Sequence, residues 1–253
     1  MNAALIIPAL NEAEAIGPML DELPPGLFAE IIVADNGSID STSAVAASRG
    51  ARVVLEPRRG YGSACLRAIG AIGPDIEAVV FMDADGSDLP SEIDSLLDPI
   101  RRREADLVIG SRALGNAEPG SLNAHQRFGN WLAALLVRWI FGHRYTDLGP
   151  FRAIRLSSLH QIGMKDPNYG WTVEMQIRAL AHGLRVIEVP VSYRRRREGR
   201  SKISGTVWGS VSAGAKILWT IARLGLGGAF RRSATSAPVL KPQIGKRCGT
   251  NYR

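Results

Sequence analysis

Asp83 and Asp85 are separated by one residue and follow the apolar run Val79-Val80-Phe81-Met82, with Gly86 just after them. Strand residues alternate sides, so both carboxylates point the same way if extended geometry persists. Two carboxylates at the carboxyl end of a buried strand make a small, hard-oxygen site. Such a site suits Mg2+ or Mn2+, which take one or two protein carboxylates and complete their shell with substrate phosphates. Of the two, Asp85 is the better metal ligand. Asp83, nearer the strand, reaches a ribose or a metal-bound water. Asp88 reads as the N-cap of a helix opening at Pro90. On its own, an Asp-x-Asp turn is more often a plain solvated turn, so the rest of the chain has to support the metal.

The elements that position these acids come from periodicity. Strands are expected at Ala3–Ile7, Glu30–Ala34, Arg52–Leu55, Ala78–Met82 and Asp106–Ile109. Helices are expected between them at Asn11–Leu23, Asp40–Ser48, Gly62–Ile72 and Pro90–Arg103. In the first helix Ile16, Met19, Leu20 and Leu23 recur at i, i+3, i+4 and i+7. Strands spaced by helices imply crossover units and a mostly parallel sheet covered on both faces. Ligands of such sheets sit outside the carboxyl ends of the strands. There the sequence places Pro8 to Glu12, Asp35 to Ser38, Arg58 to Gly62, and Asp83 with Asp85. Acids after two strands with a glycine-rich loop between them suit a nucleotide. Asp35 would accept from a base or ribose, and the N–H groups around Gly60 and Gly62 would face phosphates at a helix start. The segment at Asp35 is also a good turn and N-cap. A dinucleotide fingerprint is excluded, because the first strand runs into Pro8 and no G-x-G-x-x-G set follows it.

The chain has 253 residues, 45% hydrophobic and 22% charged, enough for one full α/β domain. Of the net charge of +7, six units lie in Arg231, Arg232, Lys241, Lys246, Arg247 and Arg253, which leaves +1 for residues 1–228. A large nucleic-acid face is therefore not demanded. Two cysteines, Cys65 and Cys248, fit a reducing cytosol and no disulfide framework. The N-terminus reads as a core strand and not a signal peptide. No uncharged apolar run reaches the roughly 18 residues of a membrane span.

Taken together, the motifs resemble family 2 glycosyltransferases of the GT-A, Rossmann-like fold. They are Ile7-Pro8-Ala9-Leu10-Asn11-Glu12, Asp35-Asn36-Gly37-Ser38, Gly60-Tyr61-Gly62, Asp83-Ala84-Asp85, Gly110-Ser111-Arg112, Asp147-Leu148-Gly149-Pro150-Phe151-Arg152 and Glu188-Val189-Pro190-Val191, in the family's order over residues 3–205. Within that family the segment Arg196 to Lys202 resembles the R-x-x-G-x-S-K element of enzymes that transfer sugar to a polyprenyl or dolichyl phosphate, with Arg196, Gly199, Ser201 and Lys202 in place. Chemically it is an anion clamp. The resemblance implies inverting displacement at an anomeric carbon, with metal and basic groups stabilising the departing nucleoside diphosphate. It implies catalytic roles for Asp85, Asp147, Glu174, Arg196 and Lys202. It implies substrate contacts for Pro8, Asn11, Glu12, Asp35, Gly60, Gly62, Asp83, Arg112, Arg152 and Ser201. UDP-glucose is the first donor expected and GDP-mannose the second.

Two departures matter. Relatives that glycosylate a hydroxyl often carry a Glu-Asp pair where this chain has Val173-Glu174-Met175. A phosphate acceptor is already ionised and needs no base, so the missing pair favours an anionic acceptor. Glu174 stays open as a base, a ligand of donor hydroxyls, or an arginine partner. Gly149-Pro150 also differs from many lipid-phosphate relatives, which keeps a soluble or phosphorylated small acceptor as the alternative. An anion- or nucleic-acid-binding protein comes third.

Phe128–Phe141 is apolar nearly all round, and Thr206–Leu226 has a thin polar stripe of Gly209, Ser212, Lys216, Thr220 and Arg223. Tryptophan-rich helices with a basic stripe can lie in the bilayer interface. Core packing or a homodimer contact is the other reading. The expected organisation is a catalytic domain at 1–205, an amphipathic helix at 206–228 and a basic tail at 229–253. The expected location is the inner face of the cytoplasmic membrane, as a peripheral protein.

Overall fold

The computed structural model describes residues 1–196 and 207–226. Seven strands form one sheet: β1 (Ala3–Ala9), β2 (Glu30–Asp35), β3 (Arg52–Leu55), β4 (Ala78–Phe81), β5 (Leu107–Ser111), β6 (Arg152–Arg155) and β7 (Val186–Pro190). Their spatial order is β3-β2-β1-β4-β6-β5-β7. Every neighbouring pair is parallel except the two made by β6, which runs against β4 and β5. Alternate residues of β1 enter opposite cores: Ala4 and Ile6 pack on one face, Ala3, Leu5 and Ile7 on the other. Burial on both faces explains why this strand reads as a continuous apolar run.

The helices are α1 (Ala13–Asp21), α2 (Thr42–Ser48), α3 (Tyr61–Ile69), α4 (Ile93–Arg101), α5 (Ala124–Phe141), α6 (Leu156–Ile162), α7 (Trp171–Ala181) and α8 (Val207–Leu226). A 3-10 turn at Pro90–Glu92 leads into α4. The first helix starts two residues later than periodicity predicts, and the reason is local. Asn11 has φ 49°, outside the helical region. The N–H groups of Asn11 and Glu12 donate to Ser38 Oγ and Thr42 Oγ1, each at 2.8 Å. Ile39 N donates to Asn11 Oδ1 at 2.8 Å. The loops after β1 and β2 are thereby knitted together at the sheet's carboxyl edge.

The sequence reading expected no strand at β7 and none at β6. Strand β6 opens beside the carboxyl ends of β4 and β5, with Arg152 opposite Phe81 and Ile109. The loop that feeds it, Thr146 to Phe151, is therefore delivered to the same edge as Asp83.

Helix α8 packs on α5 and α7, and Lys216 and Thr220 of its polar stripe turn inward while Arg223 is exposed. Thr220 is fully buried, and its hydroxyl donates to Asp166 Oδ2 at 3.3 Å. Lys216 Nζ lies 3.4 Å from the same oxygen. Trp219, by contrast, is 63% exposed. On α5 the inward positions are Ala133, Val137 and Phe141, while Phe128, Trp131 and Trp139 face outward, Trp139 at 78% exposure.

Candidate active site

Order 3-2-1-4 puts a crevice at the carboxyl ends of β1 and β4, where the crossovers leave in opposite directions. A cleft of about 370 Å³ opens there, lined among others by Pro8, Glu12, Asp83, Asp85, Arg59 and Arg196. Asp85 Oδ1 accepts from Ser87 N at 2.9 Å. Its other oxygen, Oδ2, lies 2.9 Å from Arg196 Nη2. Arg196 Nη1 donates to Glu12 Oε1 at 2.9 Å, so one guanidinium spans the loops after β1 and β4.

Asp83 accepts from Tyr61 Oη at 3.1 Å. Burial and the Asp85 charge push its carboxyl up to about 7, opposed by Tyr61, Arg196 and Arg112. Asp88 is pushed up well above the carboxylate range by burial and then by Asp83 and Asp85. It is not the N-cap of the Pro90 turn, where no side chain caps. Its Oδ2 accepts from Asp83 N at 3.4 Å, and Oδ1 is buried without a hydrogen-bond partner. Three carboxylates share a confined space, and such a group favours a cation. Among the described residues no set of three or more His, Cys, Asp or Glu side chains forms a metal cage. The donor set therefore fits a two-carboxylate Mg2+ or Mn2+ site that substrate phosphates would complete.

Several expected contacts are placed otherwise. Asp35 is turned onto its own loop, accepting from Ser38 N at 2.7 Å and from the Ser43 hydroxyl. Gly60 N donates to Asn36 Oδ1 at 2.7 Å, so it does not face a phosphate. The glycines at 60 and 62 answer to packing: a Cβ on Gly60 would lie 2.2 Å from Pro167 O, and one on Gly62 1.9 Å from Asp166 O. Gly60 also has φ 143°, which side-chain-bearing residues avoid.

Of the three alternatives open for Glu174, its contacts match the arginine partner. It is fully buried, accepts from Lys165 N at 3.1 Å and Asp166 N at 2.6 Å, and pairs with Arg178 at 2.8 Å. Arg152 is likewise removed from direct substrate contact. It is fully buried, and its guanidinium donates to the carbonyls of Thr172, Leu148 and Gly149. Burial pulls its pKa down to about 10. Asp147 is enclosed by Arg112, whose backbone N, Nε and Nη2 donate to it at 2.7–2.8 Å. It thereby holds Arg112, whose guanidinium also lies 5.0 Å from the Tyr193 ring centre. Glu188, missed as a functional residue, accepts from Thr146 N and Asp147 N and fixes that loop. Gly199, Ser201 and Lys202 lie outside the described residues, as does the tail at 229–253.

Arg112 also borders a second, larger cleft of about 930 Å³ between the loop after β5 and helix α5. Arg127, Arg138 and Arg144 give this cleft positive charge, and Trp131 and Leu135 give it an apolar wall. Arg112 does not line the first cleft, but its positive charge lowers the pKa values of Asp83 and Asp88 against their burial.

The glycosyl transferase family 2 profile matches residues 4–163, which takes in every strand from β1 to β6. The chain belongs to glycosyl transferase family 2. An uncharacterized glycosyltransferase of Mycobacterium tuberculosis H37Rv is 37% identical over 217 residues, covering 83% of this chain and 93% of that protein. The undecaprenyl-phosphate mannosyltransferase of Micrococcus luteus is 30% identical over 224 residues, covering 83% and 90%. Glucosyl-3-phosphoglycerate synthase from M. tuberculosis, solved with Mn2+, UDP and glucosyl-3-phosphoglycerate, superposes with a TM-score of 0.71 at 24% identity, covering 89% of this chain and 80% of that one. The protein is a glycosyltransferase of GT-A fold, with relatives among the polyprenyl-phosphate sugar transferases.

Proposed function

We propose that this family 2 glycosyltransferase moves a hexose, with inversion, from a nucleoside-diphosphate sugar to a polyprenyl phosphate at the cytoplasmic membrane surface. The observation that carries the reading is the presence of two clefts: an acidic one at Asp83 and Asp85, and a cationic, apolar-walled one along α5 that Arg112 lines. The first suits a sugar nucleotide with Mg2+ or Mn2+, and the second an amphiphilic phosphate. When bound by Asp83 and Asp85, the divalent ion would neutralise the leaving nucleoside diphosphate. Arg59 and Arg196 line the same cleft and add positive charge where the leaving group develops negative charge. Arg112, held by Asp147, orients an anionic acceptor oxygen toward the anomeric carbon. That oxygen is ionised at neutral pH, so no general base is required, which agrees with the burial of Glu174.

The outward aromatics Phe128, Trp131, Trp139 and Trp219 support contact with a bilayer interface, where a lipid acceptor resides. No helix of the described residues is long and apolar enough to cross a membrane. The relative from M. luteus is named for an undecaprenyl-phosphate acceptor, which supports the same acceptor class here.

The test is transfer from labelled UDP-glucose and GDP-mannose to polyprenyl phosphate, with Mg2+, Mn2+ or chelator. Lipid-soluble label that requires the metal, and that disappears in Asp85→Asn with an unchanged melting temperature, is the expected result. Transfer only to a soluble phosphorylated acid would replace the acceptor. Salt-dependent nucleic-acid binding with no sugar-nucleotide affinity would overturn the reading.

A further inference from the structure

Asp85 Oδ1 is occupied by Ser87 N, so Oδ2 is the oxygen it presents to the cleft. That oxygen already faces a cation, the Arg196 guanidinium at 2.9 Å. A Mg2+- or Mn2+-type ion would approach the same oxygen to about 2.1 Å, in space the guanidinium fills. The two cations cannot share the position, because like charges at contact repel strongly in a partly buried cleft.

The neighbours of Arg196 are anchored without it. Arg194 N donates to Ser87 O at 2.9 Å, and the Arg194 side chain reaches Gly86 O and Glu22. Arg195 N donates to Glu118 Oε2 at 2.9 Å, and its guanidinium to Pro119 O. The backbone is strapped across the loop after β4 while the Arg196 side chain bridges Asp85 and Glu12. Breaking that bridge requires a side-chain rotation and no unfolding of the strap.

We infer that Arg196 is a resident counter-cation of the donor site, exchanged for the divalent ion when a sugar nucleotide binds. The inference rests on the metal-dependent reading above. It concerns what the Arg196 side chain does before and after the donor arrives. With no donor bound, Arg196 balances Asp85 and Glu12 and opposes the metal. With a nucleoside diphosphate present, the planar fork leaves the carboxylates for phosphate oxygens, to which it is equally suited. Metal and nucleotide then bind with positive coupling, and by linkage each raises the affinity of the other by the same factor.

The experiment is Mn2+ titration of the full chain by electron paramagnetic resonance, with and without UDP or GDP. Wild type should bind Mn2+ weakly alone and at least about tenfold more tightly with nucleotide, the size of one charge-assisted contact. Arg196→Ala should bind Mn2+ alone about tenfold more tightly than wild type and lose most of the coupling. Arg196→Lys keeps the charge but cannot span both carboxylates. It should bind Mn2+ alone more tightly than wild type, and affinity equal to wild type would reduce the effect to net charge and overturn the exchange. If wild type needs Mn2+ for transfer while Arg196→Ala binds Mn2+ no more tightly, the exchange alone falls. If no form binds Mn2+ even with nucleotide, the metal-dependent reading falls with it. Matching circular dichroism and melting temperatures establish that the variants are folded.

Discussion

Replacing Asp147 with asparagine tests whether this residue acts on substrate or on Arg112. Asp147 is buried, and Arg112 directs a backbone N–H and two guanidinium N–H groups at it, all within 2.8 Å. Arg112 is itself largely enclosed, with 14% of its side chain exposed. Removing one partner of such a pair leaves an uncompensated charge and costs about 3–5 kcal/mol. Asparagine keeps one acceptor oxygen, so about 3 kcal/mol is expected. For a chain of this length that is a fall of roughly 6–12 °C in melting temperature. In the double variant Arg112→Gln with Asp147→Asn, neither charge remains, so the second substitution should add little. A double-mutant cycle read by urea unfolding should give a coupling of at least about 2 kcal/mol. Additive effects would refute the pairing and return Asp147 to an independent role. Activity offers a second check: Asp147→Asn and Arg112→Gln should reduce acceptor use to similar extents, because they remove the same arginine geometry.

Glu174→Gln should lower stability by about 3 kcal/mol while transfer by the remaining folded enzyme falls less than tenfold; a loss of a hundredfold or more would mark Glu174 as a base after all. Gly62→Ala should be poorly folded, because its Cβ would meet Asp166 O at 1.9 Å, and a melting temperature near wild type would contradict that packing. Trp139→Ser with Trp219→Ser should leave the melting temperature within about 2 °C, since surface changes cost about 0.5 kcal/mol, yet reduce sedimentation with anionic vesicles. Unchanged vesicle binding would assign those tryptophans to another partner. Asp106 is held below the usual carboxylate range by hydrogen bonds from Arg185 against the opposing effect of burial. Its stabilisation is complete above the unfolded value near pH 4 and is lost as pH falls through the lower folded value, so Asp106→Asn should remove about 1 kcal/mol at pH 7 and progressively less as the pH falls below about 4.

Composition and spacing alone determined the strand–helix alternation, the parallel core built on β1, β2, β3 and β4, and the acid-bearing edge with Asp83 and Asp85. These are local properties, since an apolar run followed by carboxylates reads the same before and after folding. The family motifs carried the assignment further, to the arginine segment and the likeness to lipid-phosphate transferases. Strand β6 was not visible in that way, because Arg152-Ala153-Ile154-Arg155 is short, charged at both ends and defined by antiparallel partners on each side. The inward turn of Thr220 and Lys216 on α8 was hidden for a similar reason. Thr220 and Lys216 look solvent-facing until Asp166, fifty-four residues from Thr220, is brought beneath them. The same holds for the site residues. Glu174, Arg152 and Asp147 carry the chemistry of acids and bases, but burial and long-range partners made them a brace, a loop anchor and an arginine holder. Residue type determined what each side chain was able to do, and only tertiary contacts, which set burial and supply partners, decided which of those things it does.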